Sequence, residues 1–238
     1  MAYIFIDSYL QLYDGTIEIS GESAHYVSNV LRQRVGNDIT LFNNIGQYMG
    51  GKIVSIRKNQ VIIDAHPLQP PDVESPLDIT LYQGLLKGEK MDLVIQKATE
   101  LGVKEIVPII TERSIPTFTR KIERFQKIAS QACRQCGRVM IPEIFEPMSF
   151  EDSLNGFNGH GIIFYEESGS KIPVFNHSIV EISLYIGPEG GFSAGEILMA
   201  ERHGIKAASL GKRILRAETA AITGLGIIQY LYGDISVG

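Results

Sequence analysis

The sequence predicts an α/β fold on a mostly parallel sheet, preceded by a small N-terminal β-barrel. Three observations lead there. Short β-like segments crowd the first 65 or so of the 238 residues. Strand and helix patterns alternate after residue 76. Between the two lies a proline-rich seam, His66 to Pro76, with four prolines in eleven residues. Such a stretch suits neither a helix interior nor a central strand, and it reads as an extended linker.

Before the seam, strands are expected at Thr16 to Ser20, Asp38 to Asn43, Lys52 to Ile56 and Gln60 to Ala65. Turn residues at Asn43-Asn44-Ile45-Gly46 and Lys58-Asn59 divide them, and one helix is expected from about Glu22 to Arg32. Short strands at this density suggest a barrel of the kind that often binds oligonucleotides. After the seam, strands are expected at Ile79 to Gln83, Glu105 to Ile110, Gly161 to Tyr165, Ile182 to Ile186 and Ala207 to Leu210. Lys90 to Leu101 puts Met91, Val94, Ile95, Ala98 and Leu101 on one helical face. Strands separated by helices imply a parallel sheet covered on both sides.

Composition narrows the function classes. With 44% hydrophobic residues the chain is that of a soluble globular protein, and a net charge of −5 excludes a general coat of nucleic-acid-binding charge. Any RNA contact must come from a local basic patch. Two cysteines, Cys133 and Cys136, make no disulfide framework and favour a reducing compartment. The apolar run at the N-terminus breaks too soon for a signal peptide, and no stretch of about 18 apolar residues is present, so a cytoplasmic protein without a membrane span is expected. The five histidines lack metal-ligand spacing, and no metal is expected.

Two loops are the candidates for chemistry. Ile182 to Ile186 runs into Gly187-Pro188-Glu189-Gly190-Gly191-Phe192-Ser193, after which Ser193 and Glu196 have the spacing of a capping box. Three glycines around one proline permit close backbone approach to a ligand, and in an open α/β sheet ligands bind beyond the carboxyl ends of strands. A phosphate cradle fits poorly, because no dinucleotide or P-loop spacing is present and Glu189 would repel an anion. A tight turn without a ligand is the plainer alternative. The second loop, Leu210-Gly211-Lys212-Arg213-Ile214-Leu215-Arg216-Ala217-Glu218-Thr219-Ala220, also leaves a strand and enters an apolar helix running to Tyr232. Arg216, Glu218 and Thr219 fall at that helix start, where backbone N–H groups are unpaired.

Together these two loops resemble those of the RsmE family of ribosomal RNA uracil-N3 methyltransferases, within the SPOUT superfamily. Lys97 to Val103, Thr111 to Ser114 and His25 to Arg32 fit the same family, so the resemblance spans nearly the whole chain. One departure is Gln131 to Arg138, where family members are more acidic and often carry serine at the second cysteine. The resemblance implies a PUA-like β-barrel RNA-binding domain over residues 1–70 and a SPOUT methyltransferase domain with a trefoil knot over residues 75–238. It implies a homodimer with the site near the subunit interface. It also implies S-adenosyl-L-methionine as cofactor, held bent and largely by backbone groups. The matching positions are Gly187, Pro188, Gly190, Gly191 and Phe192 in the first loop, and Leu210, Gly211, Ile214, Leu215 and Thr219 in the second, with the loop after Gly161 to Tyr165 closing the pocket.

The helix expected from about Thr119 to Arg138 has two faces. Ile122, Phe125, Ala129, Ala132, Cys133 and Cys136 fall on the apolar side, and Arg120, Arg124, Lys127, Arg134 and Arg138 on the other. A solvated face and a phosphate-contacting stripe both fit; the second is favoured because the resemblance independently asks for RNA. Arg32 and Arg113 join the RNA-contacting candidates. The Cys-x-x-Cys spacing is read as packing, since no second pair completes a zinc site.

The expected reaction is in-line attack of uridine N3 on the sulfonium methyl in small-subunit (16S) ribosomal RNA, free or within the assembled subunit. Arg216 is the candidate for stabilising the N3 anion, and Glu189 or Glu218 for accepting the proton. Arg113 and Arg138 are alternatives for holding the target phosphate. Glu218 as a plain helix-start carboxylate competes with its catalytic reading. The alternatives for the whole chain are a SPOUT enzyme acting on another RNA and a non-catalytic RNA-binding protein.

Overall fold

The computed structural model describes residues 2–5, 14–43, 47–114, 122–155, 157–175 and 179–235. It divides into two compact units, Met1–Glu74 with Cys133–Ile141, and Ser75–Ala132 with Pro142–Gly238.

In the first unit, β1 (Ala2–Phe5), β2 (Gly15–Ser20), β3 (Asp38–Phe42), β4 (Tyr48–Arg57) and β5 (Gln60–Pro67) form one sheet in the order β1-β3-β4-β5-β2. All pairings are antiparallel except β1 with β3. Half-burial explains the alternation in β2, where Ile17 and Ile19 are buried and Glu18 and Ser20 are exposed. Ile39, Leu41, Ile53, Val61 and Ile63 complete this core with Val27.

The single helix expected from Glu22 to Arg32 is instead two pieces. α1 (Gly21–His25) loosens into a π-helical turn, Tyr26–Val30, with Leu31 N–H donating to the Tyr26 carbonyl at 2.9 Å. Val27 and Val30 are β-branched and hold a tight α-turn weakly. Arg32 then ends the turn at φ +51°, a conformation costing a non-glycine residue on the order of 1–2 kcal/mol.

The proline seam is anchored through Glu74. Its Oε2 accepts from Arg138 Nε and Nη2 at 2.9 and 2.8 Å, and its Oε1 from the Val139 and Met140 N–H groups at 2.9 and 3.0 Å. These bonds help place Cys133–Ile141 in the first unit although the chain has by then passed through the second.

The second unit contains β6 (Asp78–Gly84), α2 (Lys90–Glu100), β7 (Glu105–Ile110), α3 (Ile122–Cys136, whose last residues belong to the first unit), β8 (Glu143–Ile144), β9 (Met148–Ser149) and α4 (Phe150–Leu154). Then follow β10 (Gly161–Phe164), β11 (Glu181–Ile186), α5 (Ala194–Arg202), β12 (Lys206–Ala208) and α6 (Ala217–Tyr232). The sheet order is β12-β10-β11-β6-β7-β8, with β9 also on β7, and every pairing is parallel. Strands covered on both faces read as continuous apolar runs, as β10 does with all four residues buried.

α6 is fastened at its far end by Gln229, which is fully buried. Its Nε2 donates to the Leu101 carbonyl at 2.7 Å, and its Oε1 accepts from Ser75 Oγ at 2.9 Å. At its middle Gly224 lies against Phe164 of β10, where a Cβ would stand 2.7 Å from the ring.

Sheet order reverses between β6 and β11, since the chain progresses to β7 on one side and to β10 and β12 on the other. Such a switch point opens a crevice beyond the carboxyl ends of the strands. Here the backbones close tightly: a Cβ on Gly84 would stand 2.4 Å from Pro188 N. Buried Gln83 laces the same place, its Nε2 donating to the carbonyls of Gly84 at 3.0 Å and Gly187 at 3.4 Å.

Candidate active site

The loop after β11 is a tight turn with its geometry set from three sides. Gly191 N–H donates to the Pro188 carbonyl at 2.9 Å, and Gly191 takes φ +67°, which favours glycine. The capping box is present: Ser193 Oγ accepts from Glu196 N–H at 3.3 Å, and Ser193 N–H donates to Glu196 Oε2 at 2.8 Å. Glu196 Oε1 also accepts from Glu112 N–H at 2.8 Å, and Arg113 Nη1 donates to the Gly190 carbonyl at 2.9 Å. The loop after β7 thus braces the loop after β11. Glu196→Ala removes the acceptor of two backbone donors and should cost about 1–3 kcal/mol, read as a lower urea midpoint at unchanged m-value.

Beyond the carboxyl ends of β10, β11 and β12 lies a cavity of about 550 Å³, within the range of small-ligand sites. Ile186, Gly187, Pro188, Glu189 and Gly191 form one wall, and Phe164, Tyr165 and Glu166 a second. Ser209, Leu210, Gly211, Arg213, Ile214, Leu215 and Arg216 form a third, closed by Ala217, Ala220 and Lys90. Apolar side chains and glycines share the walls, and Ile214 stands 85% exposed at the site. Arg216 caps α6 with extended backbone and no side-chain bond to the helix, so its guanidinium is not consumed by capping.

Glu189 is tied down. It accepts from Lys90 Nζ at 2.9 Å and from Lys87 N–H at 3.2 Å. Partial burial pushes its carboxyl up, but the Lys90 bond, a backbone bond of its own and the Lys87 N–H outweigh that and hold it below its ordinary value. A depressed carboxyl contributes stability above the ordinary glutamate range and loses it as pH falls through the lowered value. The urea-midpoint gap between wild type and Glu189→Gln should therefore be wider at pH 7 than at about pH 3.

Residues 73–229 match the family model of the RNA methyltransferase domain, and residues 19–65 match that of the RNA methyltransferase PUA domain. The chain belongs to this RNA methyltransferase family. Among its relatives, ribosomal RNA small subunit methyltransferase E of Buchnera aphidicola is 37% identical over 225 residues, covering 91% of this chain and 88% of the relative. The Bacillus subtilis protein of the same name is 31% identical, covering 90% of each. The ribosomal RNA small subunit methyltransferase E of Neisseria gonorrhoeae, solved bound to S-adenosyl methionine, superposes with a TM-score of 0.92 at 32% identity over 99% of both chains. A Legionella pneumophila protein solved with bound SAM gives 0.90 at 36%, over 99% of this chain and 100% of that one. Family and fold therefore stand as the sequence predicts: a mostly parallel α/β sheet with a small N-terminal β unit. No helix among the described residues is long and apolar enough to cross a membrane.

Of the candidate residues of this methyltransferase-family chain, Gly187, Pro188, Gly191, Leu210, Gly211, Ile214 and Leu215 line the cavity, with Glu189 and Arg216. Gly190, Phe192, Thr219 and Glu218 are not on its walls. Gly190 instead packs on Arg113, and Phe192 is core, its ring 5.4 Å from Phe150. Glu218, in the first turn of α6, encloses its Oε2 with no hydrogen-bond partner among the described residues. Lys90 and Ser209 are wall residues outside the segments that sequence reading singled out for the site. Lys90 carried a signal only in hindsight, as a cation at the start of a helix that follows a strand end.

The basic stripe on α3 is corrected in part. Arg138 is 6% exposed and consumed by Glu74, so it is not on an open face. Arg124 is ion-paired with Asp92, Arg134 lies 4.6 Å above the Tyr26 ring, and Lys127 is exposed. Arg32 and Arg113 are exposed, while Arg120 lies outside the described residues, as do the first residues of the expected helix and 44–46 of the expected turn. Cys133 is buried as expected, with burial pushing its thiol up to about 12, but Cys136 is exposed rather than on the apolar side.

Proposed function

We propose that this chain transfers a methyl group from S-adenosylmethionine to N3 of a uridine in small-subunit (16S) ribosomal RNA. The observation that carries the reading is the shared cavity made by the Gly187–Ser193 and Leu210–Ala220 loops beyond the strand ends. The residues present fit the cofactor. Gly187 and Gly191 leave backbone bare, and Phe164, Ile186, Leu210, Leu215 and Ala220 offer an apolar seat for an adenine. In this reading Gly190, Phe192 and Thr219 support the walls from behind.

Bound there, S-adenosylmethionine supplies a methyl already activated by its sulfonium. The chain must align uridine N3 with it, exclude water and handle a weakly acidic proton, and orientation alone contributes several kcal/mol. Arg216 stabilises the developing N3, O2 and O4 anion from the start of α6, where free N–H groups and the helix dipole also favour negative charge. Glu189, held below its ordinary value, is a weak acceptor of the proton, and Glu218 lies off the walls. The weight of catalysis therefore falls on lowering the cost of the anion. Arg32 and Arg134 of the first unit, and Arg113, Arg124 and Lys127 of the second, contact RNA phosphate.

The enzyme acts in the cytoplasm as a homodimer, for which the exposure of Tyr230 at 60% and Leu231 at 39% on α6 offers apolar surface. Mass spectrometry of ribosomal RNA from a strain lacking the chain tests the reading. Loss of one 3-methyluridine from the small-subunit RNA is expected; an intact complement, or loss from transfer RNA alone, overturns it.

A further inference from the structure

Five charged side chains stand on the cavity walls: Lys90, Glu166, Glu189, Arg213 and Arg216. Lys90 and Glu189 neutralise each other at 2.9 Å. Arg213 and Arg216 leave the remaining rim cationic. Glu166, just after β10, is the wall carboxylate that makes no hydrogen bond or ion pair among the described residues. Its position is defined by Gly191. Its Oε1 and Oε2 lie 3.3 and 3.6 Å from where a Gly191 Cβ would stand, so the carboxylate rests on the open face of the glycine turn.

A lone carboxylate held there discourages phosphate and attracts a cation. A carboxylate also accepts from ribose hydroxyls, but only a cationic donor adds full charge attraction to the hydrogen bond. An ionised acceptor gains most from an ionised donor, because the two opposite charges then lie in direct contact. The methyl donor proposed above carries one such donor group, the α-ammonium of its methionyl arm.

We infer that Glu166 binds the α-ammonium of the cofactor's methionyl arm, an assignment that rests on the cofactor reading of this cavity. Glu166 thereby selects nucleosides that carry an amino-acid arm over those that do not. The bare Gly191 turn also leaves the carboxylate room, since a Cβ there would stand 3.3 Å from its Oε1 and crowd it by a few tenths of an ångström.

The test is a cycle of four calorimetric affinities, wild type and Glu166→Gln, each with S-adenosylhomocysteine and with its desamino analogue. Wild type should bind the desamino compound about tenfold more weakly, and Glu166→Gln should bind both compounds alike, near the weaker value. An equal preference for the amine in both proteins overturns the assignment, as does a wild type that binds the two compounds alike. Wild type that binds neither compound sinks the cofactor reading itself, a result distinct from either of those.

Discussion

Arg216→Ala lowers the single-turnover rate of RNA methylation by about 10²–10³-fold, the loss typical of removing one donor aimed at a developing anion. Cofactor affinity changes by less than about threefold. The split between rate and affinity matters because Arg216 is on the cavity wall, where a residue that merely held the cofactor would move both. Arg216 makes no side-chain cap to α6, so alanine removes no capping bond and leaves the cap backbone, with Ala220 N–H donating to the Arg216 carbonyl at 2.8 Å, in place. Lysine should restore part of the rate by charge without the planar fork of arginine. Full activity in Arg216→Ala would remove it from the mechanism.

Gly84→Ala weakens cofactor binding by about 10–100-fold and lowers the melting temperature. One added methyl would stand 2.4 Å from Pro188 N and 2.7 Å from Gly187 C, both backbone atoms that no rotamer change can clear. Either β6 and β11 separate at the switch point or the Gly187–Ser193 loop moves off the cavity. Overpacking of this kind costs about 1–3 kcal/mol, and each 1.4 kcal/mol taken from the ligand-binding conformation is a tenfold loss of affinity. Gly88→Ala is the control, since that residue lies on the same connection with no atom within 4 Å of its would-be Cβ. It sits at φ +61°, so alanine there carries a backbone penalty that Gly84 lacks, and no clash; a cofactor-affinity loss confined to Gly84→Ala therefore reports the clash.

The sheet of the second unit and the two glycine loops were legible because their signals are local. Apolar runs such as Ile182 to Ile186, followed at once by Gly-Pro-Glu-Gly-Gly, announce a buried strand ending in a loop that approaches something closely. The Ser193 and Glu196 pair was likewise readable, being a three-residue motif, and it forms as expected. What escaped is non-local. Gly84 looks like any glycine at a strand end until Pro188, 104 positions on, is brought against it. Lys90 reads as an exposed helix cation until Glu189 meets it.

Arg138 fitted a solvent stripe by spacing, yet Glu74 draws it inward from 64 residues away. Cys136 falls within about 60° of Cys133 on a helical wheel, but it is the last residue of α3, and Gly137 at φ +84° ends the helix there. β8, β9 and α4 are two to five residues long, too short for any periodicity to mark them.

The central claim is methyl transfer to a small-subunit uridine from the cavity between the two loops. Purified protein incubated with tritium-labelled S-adenosylmethionine and separated 16S, 23S and transfer RNAs tests it most directly, with nucleoside analysis of the labelled product. Label confined to 16S RNA and eluting as 3-methyluridine is the result expected. Label in another RNA, on another nucleoside, or in none despite tight cofactor binding would contradict it.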